Sequence, residues 1–312
     1  MTKPFLVLSL LISLLVASGD ASSPTFTTFN DPLGVNGTYA NGISGTNVVG
    51  FYNDSANTSH GFLYNGTSYT TLNDPLATGV GRNQGTFPTG ISGTNIVGYY
   101  IDSSDSLNGF IYNGSTFTTL NDPLGVKGTA ATGISGNNIV GYYNDSSSAG
   151  NGFVYNGSTF TTVDDPSGVV TFPLGISGST VVGYYNTPSV SVGFVYNGSS
   201  YTNLNDPLGT YGTLPSGISG SNIVGDYRVY YTTSHGFIFN GSSYTTLDDP
   251  LGILTYVNGI DGNTAVGWYD DSGGQIHGFL AVVPEPSSIA LLSTGAIGLG
   301  AVAFRRRRQR IA

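Results

Sequence analysis

One stretch of this chain, "GFLYNGTSYTTLNDP" (residues 61–75), returns with small changes along its whole length, and that repetition limits the fold more than any other feature. Gly-Phe recurs at Gly61, Gly109, Gly152, Gly193, Gly236 and Gly278. Asp-Pro recurs at Asp31, Asp74, Asp122, Asp165, Asp206 and Asp249. Gly-Ile recurs at Gly42, Gly90, Gly133, Gly175, Gly217 and Gly259, and Val-Gly or its equivalent ends at Gly50, Gly98, Gly141, Gly183, Gly225 and Gly267. The period is about 42 residues and each period holds four short strand candidates, the dimension of a propeller blade.

The turn chemistry inside a period is legible. "TGISGNNIVGYYND" (132–145) reads as a strand, a Gly-centred turn and a second strand of β-branched and aromatic residues. "NGFVYNGSTFTTVDDP" (151–166) adds two strands across Asn156-Gly157, a pair suited to a type I′ turn with both residues at positive φ. Pro166 ends the last strand because it has no N–H to give to a ladder.

The two ends of the repeat are complementary halves. "TFTTFNDP" (25–32) is an Asp-Pro strand with nothing before it to pair with, and 278–283 is a Gly-Phe strand with no Asn-Gly turn after it. Pairing them gives six complete four-stranded blades and removes the free edges of an open array. The expected fold is therefore all-β, a six-bladed β-propeller closed by the N-terminal strand (25–32) on the C-terminal strand (278–283). An open β-solenoid is the rival, but its coils are usually shorter and its ends need no complementary halves.

Three segments are expected: a signal peptide over 1–21, the repeat ectodomain over 22–283 and a sorting tail over 284–312. The first has Lys3, an apolar run from Phe5 to Val16 and small residues at Ala17–Ala21. The tail places Pro284-Glu285-Pro286 ahead of an apolar stretch, Ile289–Phe304, and then Arg305, Arg306, Arg307 and Arg308. That stretch is short for a span, and the arginine block reads as a cytoplasmic stop. These three elements in this order resemble the PEP-CTERM sorting signal of Gram-negative bacteria. The resemblance implies an exosortase-type enzyme as partner, transient residence in the inner membrane through the C-terminal helix, and delivery to the cell surface or extracellular matrix. A plain membrane anchor is the alternative. The repeats resemble the HAF-type extracellular repeat at His60-Gly61-Phe62, His235-Gly236-Phe237 and His277-Gly278-Phe279, whereas Asn108, Asn151 and Val192 depart from it.

Without the two end segments the charge is strongly negative. Residues 22–283 hold 16 Asp, no Glu and only Arg82, Lys127 and Arg228 as cations. Such a surface repels nucleic acid and anionic lipid, leaving cations, neutral glycans or basic partners. The chain has no cysteine, so neither disulfides nor thiol chemistry are available.

If the Asp-Pro strand is outermost, the Ser-Gly and Asn-Gly turns share one face. The "NDPLG" loops and the variable segments between "GYY" and "GF" share the other. Function on a repeat scaffold sits where the variation maps, so the expected ligand face is the second one. It carries Asp102, Asp105, Asp145, Asp270 and Asp271 from the variable segments, the Asp-Pro carboxylates, and Trp268 as the first candidate for a sugar-stacking ring. Two readings of the carboxylates stand open. Asp before Pro shapes a turn by accepting backbone N–H bonds, or the ring gathers Ca²⁺, for which Asp102 and Asp105 are the best local pair. The three histidines fall in separate blades, too far apart for one zinc ion, and read as structural.

No catalytic residues are expected. Adjacent carboxylates such as Asp164-Asp165 point to opposite faces of a strand, and the ectodomain has no Glu, Cys or Gly-x-Ser-x-Gly elbow. The sequence thus points to a non-enzymatic exported protein that binds extracellular polysaccharide, cation or a surface protein, or serves structurally. The alternative is a propeller glycan hydrolase or lyase.

Overall fold

The computed structural model describes residues 23–284 apart from positions 80, 82, 83 and 231. The leader expected over 1–21 lies outside the described residues, as do Glu285, Pro286, the apolar stretch 289–304 and Arg305–Arg308; Pro284 is described. Every regular element among the described residues is a β-strand.

The first strand is β1 (Thr25–Phe29). Module one follows as β2 (Thr38–Ser44), β3 (Asn47–Asn53), β4 (Ser59–Tyr64) and β5 (Tyr69–Leu72). Module two is β6 (Gly85–Ser92), β7 (Asn95–Ile101), β8 (Leu107–Tyr112) and β9 (Phe117–Thr119). Module three is β10 (Thr129–Ser135), β11 (Asn138–Asn144), β12 (Gly150–Tyr155) and β13 (Phe160–Thr162). Module four is β14 (Val170–Ser177), β15 (Thr180–Asn186), β16 (Ser191–Tyr196) and β17 (Tyr201–Leu204). Module five is β18 (Gly212–Ser219), β19 (Asn222–Arg228), β20 (His235–Phe239) and β21 (Tyr244–Thr246). The last is β22 (Gly252–Asp261), β23 (Thr264–Asp271) and β24 (Ile276–Val282).

Consecutive strands of a module pair antiparallel, as β10 with β11, β11 with β12 and β12 with β13. The last module takes its fourth strand from the start of the chain: β1 lies antiparallel to β24, with Thr25 opposite Val282 and Phe29 opposite Gly278. Antiparallel succession puts the first and third connections of each module on one face, and the second and fourth on the other. The short Gly turns are thereby separated from the variable loops.

The recurring glycines and phenylalanines explain one another. Phe62, Phe110, Phe153, Phe194, Phe237 and Phe279 are all fully buried, each contributing about 1.5–3 kcal/mol. The Phe62 ring lies across Gly50, where a Cβ would sit 3.0 Å from Phe62 Cζ and 1.9 Å from the carbonyl of Tyr39. Glycine is the residue that lets the ring and the neighbouring strand approach this closely.

Each module packs on the next through its own apolar cluster. Val49 and Leu72 meet Ile91, Ile96, Tyr100 and Phe110 between modules one and two. Between modules six and one, Phe29, Val266 and Leu280 meet Ile43, Val48, Tyr52 and Phe62. The innermost strands touch through glycine. A Cβ on Gly42 would lie 3.0 Å from Gly90 Cα, one on Gly90 3.2 Å from Gly133 Cα, and one on Gly259 3.1 Å from Gly42 Cα.

The Asn-Gly turns differ from the type I′ expectation. Tyr64 pairs with Tyr69, so the loop has four residues. Gly66 takes φ 94° while Asn65 is not in the left-handed region. Asn65 Oδ1 instead accepts the N–H groups of Thr67 and Ser68, at 3.0 and 2.9 Å. The side chain satisfies two turn donors that a two-residue turn would not offer it. Gly114, Gly157, Gly198 and Gly241 repeat the geometry.

Candidate functional site

The two aromatic positions of each "GYY" strand face opposite ways, as the pleat requires. Tyr52, Tyr100, Tyr143, Tyr185, Tyr227 and Tyr269 are buried between modules. Phe51, Tyr99, Tyr142, Tyr184 and Trp268 lie half-buried on the other side, where most of them wall a central cup. The cup has a volume of about 420 Å³ and is walled by Tyr39, Phe51, Tyr99, Tyr142 and Trp268. Its floor is the residue preceding each Gly-Ile: Asn41, Thr89, Thr132, Leu174, Ser216 and Asn258. Below the floor the passage narrows to about 70 Å³.

The walls form a continuous aromatic run over modules six, one and two. Trp268 stacks on Tyr256 at 3.9 Å between centroids and meets Tyr39 edge-on at 5.3 Å. Tyr39 stacks on Phe51 at 4.4 Å, and Phe87 on Tyr99 at 4.8 Å. Burial raises the phenols of Tyr99, Tyr142 and Tyr256 above their usual range, so each remains a hydroxyl at neutral pH.

Most floor side chains spend a donor on the next module. Asn41 Nδ2 donates to the Pro88 carbonyl at 2.9 Å, Thr89 Oγ1 to Ala131 at 3.0 Å and Thr132 Oγ1 to Pro173 at 2.7 Å. Asn258 Nδ2 donates to the Ala40 carbonyl at 2.9 Å, joining the last module to the first. These bonds fix the amides and hydroxyls in place, and Asn41 Oδ1 in turn accepts from Asn258 Nδ2 at 3.2 Å.

The structure places the expected carboxylates in two settings. Asp31, Asp74, Asp122, Asp165, Asp206 and Asp249 are buried. Each accepts the N–H two residues on, as Leu33 to Asp31 Oδ1 at 2.9 Å, and gives its own N–H to a buried threonine hydroxyl, as Asp31 to Thr38 at 3.0 Å. Burial raises Asp31, Asp74 and Asp249 above the usual carboxylate range. These groups shape turns, the first of the two readings.

Asp102, Asp145 and Asp271, with Asp54, instead open the variable loops at the rim. Asp102 Oδ1 accepts from Ser104 N at 2.8 Å and Ser106 N at 3.0 Å, and Asp145 and Asp271 do the same in their loops. The loop closes through one left-handed residue: Asn57, Asp105, Ser148 or Gly274. Donors hold these carboxyls below their usual range, the Ser106 N–H first for Asp102 and the Gln275 N–H first for Asp271. Asp105 Oδ1 accepts from Gln84 Nε2. Asp270 is half-buried, and its Oδ1 has no hydrogen-bond partner. The loop-opening aspartates Asp54, Asp102, Asp145 and Asp271 belong to different modules, and only Trp268 of the expected ligand-face residues reaches the cup. Among the described residues no three His, Cys, Asp or Glu side chains are grouped to hold a metal ion.

The histidines are bound into the rim turns. His60 Nε2 lies 3.2 Å from Asp54 Oδ2 and its ring stacks on Tyr52; His277 does the same with Asp271 and Tyr269. His235 Nδ1 lies 2.8 Å from Asp248 Oδ2.

Module five breaks the pattern. The inward pair is aromatic in four modules, but here Leu214 lies opposite Asp226. Asp226 is sealed from solvent, accepts from Ser234 Oγ at 3.0 Å and lies 3.7 Å from Arg228 Nε. Desolvation pushes its carboxyl up to about 6, against the pull of Arg228.

A PEP-CTERM protein-sorting motif matches residues 282–308. The chain therefore carries the signal for export and surface or extracellular placement. Comparison with curated proteins gives no match. Among solved structures the described fold is similar to the SapL1 lectin in complex with alpha-methyl fucoside, at 12% identity and a TM-score of 0.52 over 80% of this chain and 96% of that one. It is also similar to the lectin of Aleuria aurantia, described as a six-bladed β-propeller with a novel fucose recognition mode: 15% identity, TM-score 0.48, covering 77% and 89%. The β-propeller domain of the Trilobed protease from Pyrococcus furiosus matches at 9% identity and a TM-score of 0.48, over 78% and 95%.

Proposed function

We propose that the chain is an exported, non-enzymatic six-bladed propeller, closed by β1 on β24, that an exosortase sorts to the cell surface or matrix. There it binds neutral glycan in the central cup. The pairing of β1 with β24, the packing of Phe29 and Val266 on module one, and the Asn258 bond to Ala40 support closure. The sorting motif supports export and processing.

The observation that carries the glycan reading is the cup itself. Aromatic walls supply faces for the C–H faces of sugar rings, and the floor sets amides and hydroxyls beneath them, a combination that binding pockets of 300–1,000 Å³ commonly use. Electrostatics agree, because a neutral ligand meets no repulsion from an acidic surface. A hydrolase or lyase would need a carboxyl that reaches substrate, and the one carboxyl pushed up to about 6, Asp226, is sealed behind Arg228 and Ser234. The repeats, with their surface hydroxyls, suit multivalent attachment to hydrated polymer.

The chain has one tryptophan, and it stands in the cup, so its fluorescence reports on the site directly. Titrating neutral oligosaccharides from the host matrix into the full-length chain in detergent should shift and saturate the Trp268 emission. An emission that stays constant while the sugar binds would place the site elsewhere.

A further inference from the structure

We propose a second binding site, in the pocket between modules four and five, that takes the carboxylate of an acidic sugar through Arg228. This pocket has a volume of about 520 Å³. Tyr184 and the loop 187–190 form one wall, and Tyr211, Leu214 and Arg228 form the other.

The repeat supplies its own control. In four modules the rim loop opens with a carboxylate: Asp54, Asp102, Asp145 and Asp271. Thr187 stands there in module four and Val229 in module five, so two neighbouring loops lose that charge together. In the same sector Arg228 occupies the position held elsewhere by Asn53, Ile101, Asn144, Asn186 or Asp270. The matching pocket between modules one and two, about 410 Å³, has Phe87 and Tyr99 on its far wall. Leu214 and Asp226 occupy those two positions in module five, which makes room and sets a buried anion behind the guanidinium.

The lining of the larger pocket contains one cation and no carboxylate. Arg228 is 38% exposed, and its contact with Asp226 runs through Nε at 3.7 Å. A guanidinium carries five N–H donors in a fork that matches a carboxylate, and this contact engages one of them. The half-buried ring of Tyr184 and the hydroxyl of Ser189 give the surroundings a sugar needs, while Thr187 Oγ1 is spent on Ser189 N, Val190 N and the Val190 carbonyl and Ser191 Oγ donates to Asn186 Oδ1. The remaining surface is strongly acidic. A polyuronate is repelled, whereas a single acidic unit on a neutral chain approaches within about one Debye length, ~8 Å at physiological salt, before it feels Arg228.

The test is titration of the full-length chain in detergent with methyl glucuronide, its methyl ester and methyl glucoside. The three differ only at C6. The wild-type chain should prefer the glucuronide about tenfold or more over both neutral forms. R228Q should abolish the preference, R228K should retain part of it, and W268A should leave it intact. Equal affinity of the wild-type chain for acid and ester overturns the proposal without any variant, and so does a preference that survives R228Q or is lost in W268A. Neutral-sugar binding in the cup is read separately from Trp268 emission, so either site can fail while the other stands.

Discussion

The innermost glycines give the sharpest structural test. In Gly133→Ala the new Cβ would lie 2.6 Å from the Leu174 carbonyl oxygen, 3.2 Å from Val140 Cγ2 and 3.3 Å from Gly175 Cα. The closest neighbour is backbone of the next module, which cannot rotate away, so modules three and four must separate. Overpacking of this kind costs ~1–3 kcal/mol. The unfolded chain loses freedom on Gly→Ala, which offsets ~0.4–1 kcal/mol. The net loss is about 1–2 kcal/mol, or a Tm lower by roughly 2–8 °C for a domain of this size. Gly90→Ala is the internal control: its nearest neighbours stand at 3.2, 3.3 and 3.4 Å, and the two terms should nearly cancel. Calorimetry of both variants reads the difference. A Gly133→Ala chain as stable as Gly90→Ala would refute the close inner packing of neighbouring modules.

Asp261 replaces the serine of the other five "GIS" turns, and its Oδ2 accepts the Gly45 N–H at 2.7 Å where the last module meets the first. Asp261→Ser should lower the urea midpoint by the equivalent of about 0.5–1 kcal/mol; an unchanged midpoint would mean the junction does not use the charge. Asp226 holds its proton more tightly folded than unfolded, titrating near 6 instead of its usual 3.8. Stability should therefore fall as pH rises from about 4 through 6, and Asp226→Asn should remove that part of the slope; the groups facing it are Arg228, Ser234, Tyr184 and Tyr256. A slope unchanged between the wild-type chain and the variant across that window would contradict the burial. Calcium should leave the Tm unchanged, since Oδ1 of Asp54, Asp102, Asp145 and Asp271 already accepts two backbone N–H groups each. A rise of several degrees would mean that an ion shares the rim carboxylates.

Repetition made the strands legible: Gly50 and Phe62 recur together because one shields the other, and the same necessity holds in every module. The turn details were less legible, since Asn65 could serve either a type I′ turn or a side-chain cap, and the supply of N–H donors decided for the cap. The Asp-Pro carboxylates looked like a surface ring because charge suggests exposure, yet Asp31 and its equivalents are consumed within their own turns. The cup was hidden by a bulge. Register shifts between Ala131 and Gly133, and at the equivalent point in other modules, so simple alternation misassigns the inward side chains. The signal was present in two places: the residue before each constant Gly-Ile varies from Asn41 to Leu174, and Asp226 stands where the other modules carry Phe51, Tyr99, Tyr142, Tyr184 or Trp268, with Arg228 two residues on.

The most direct test of the glycan-binding role is retention of the full-length chain on the host's own insoluble extracellular polysaccharide, beside a Trp268→Ala variant of equal thermal stability. Saturable retention of the wild-type chain, reduced about tenfold or more in the variant by loss of one stacking face, is the expected result. Equal retention of the two chains, or none of either, would contradict a glycan site in the central cup.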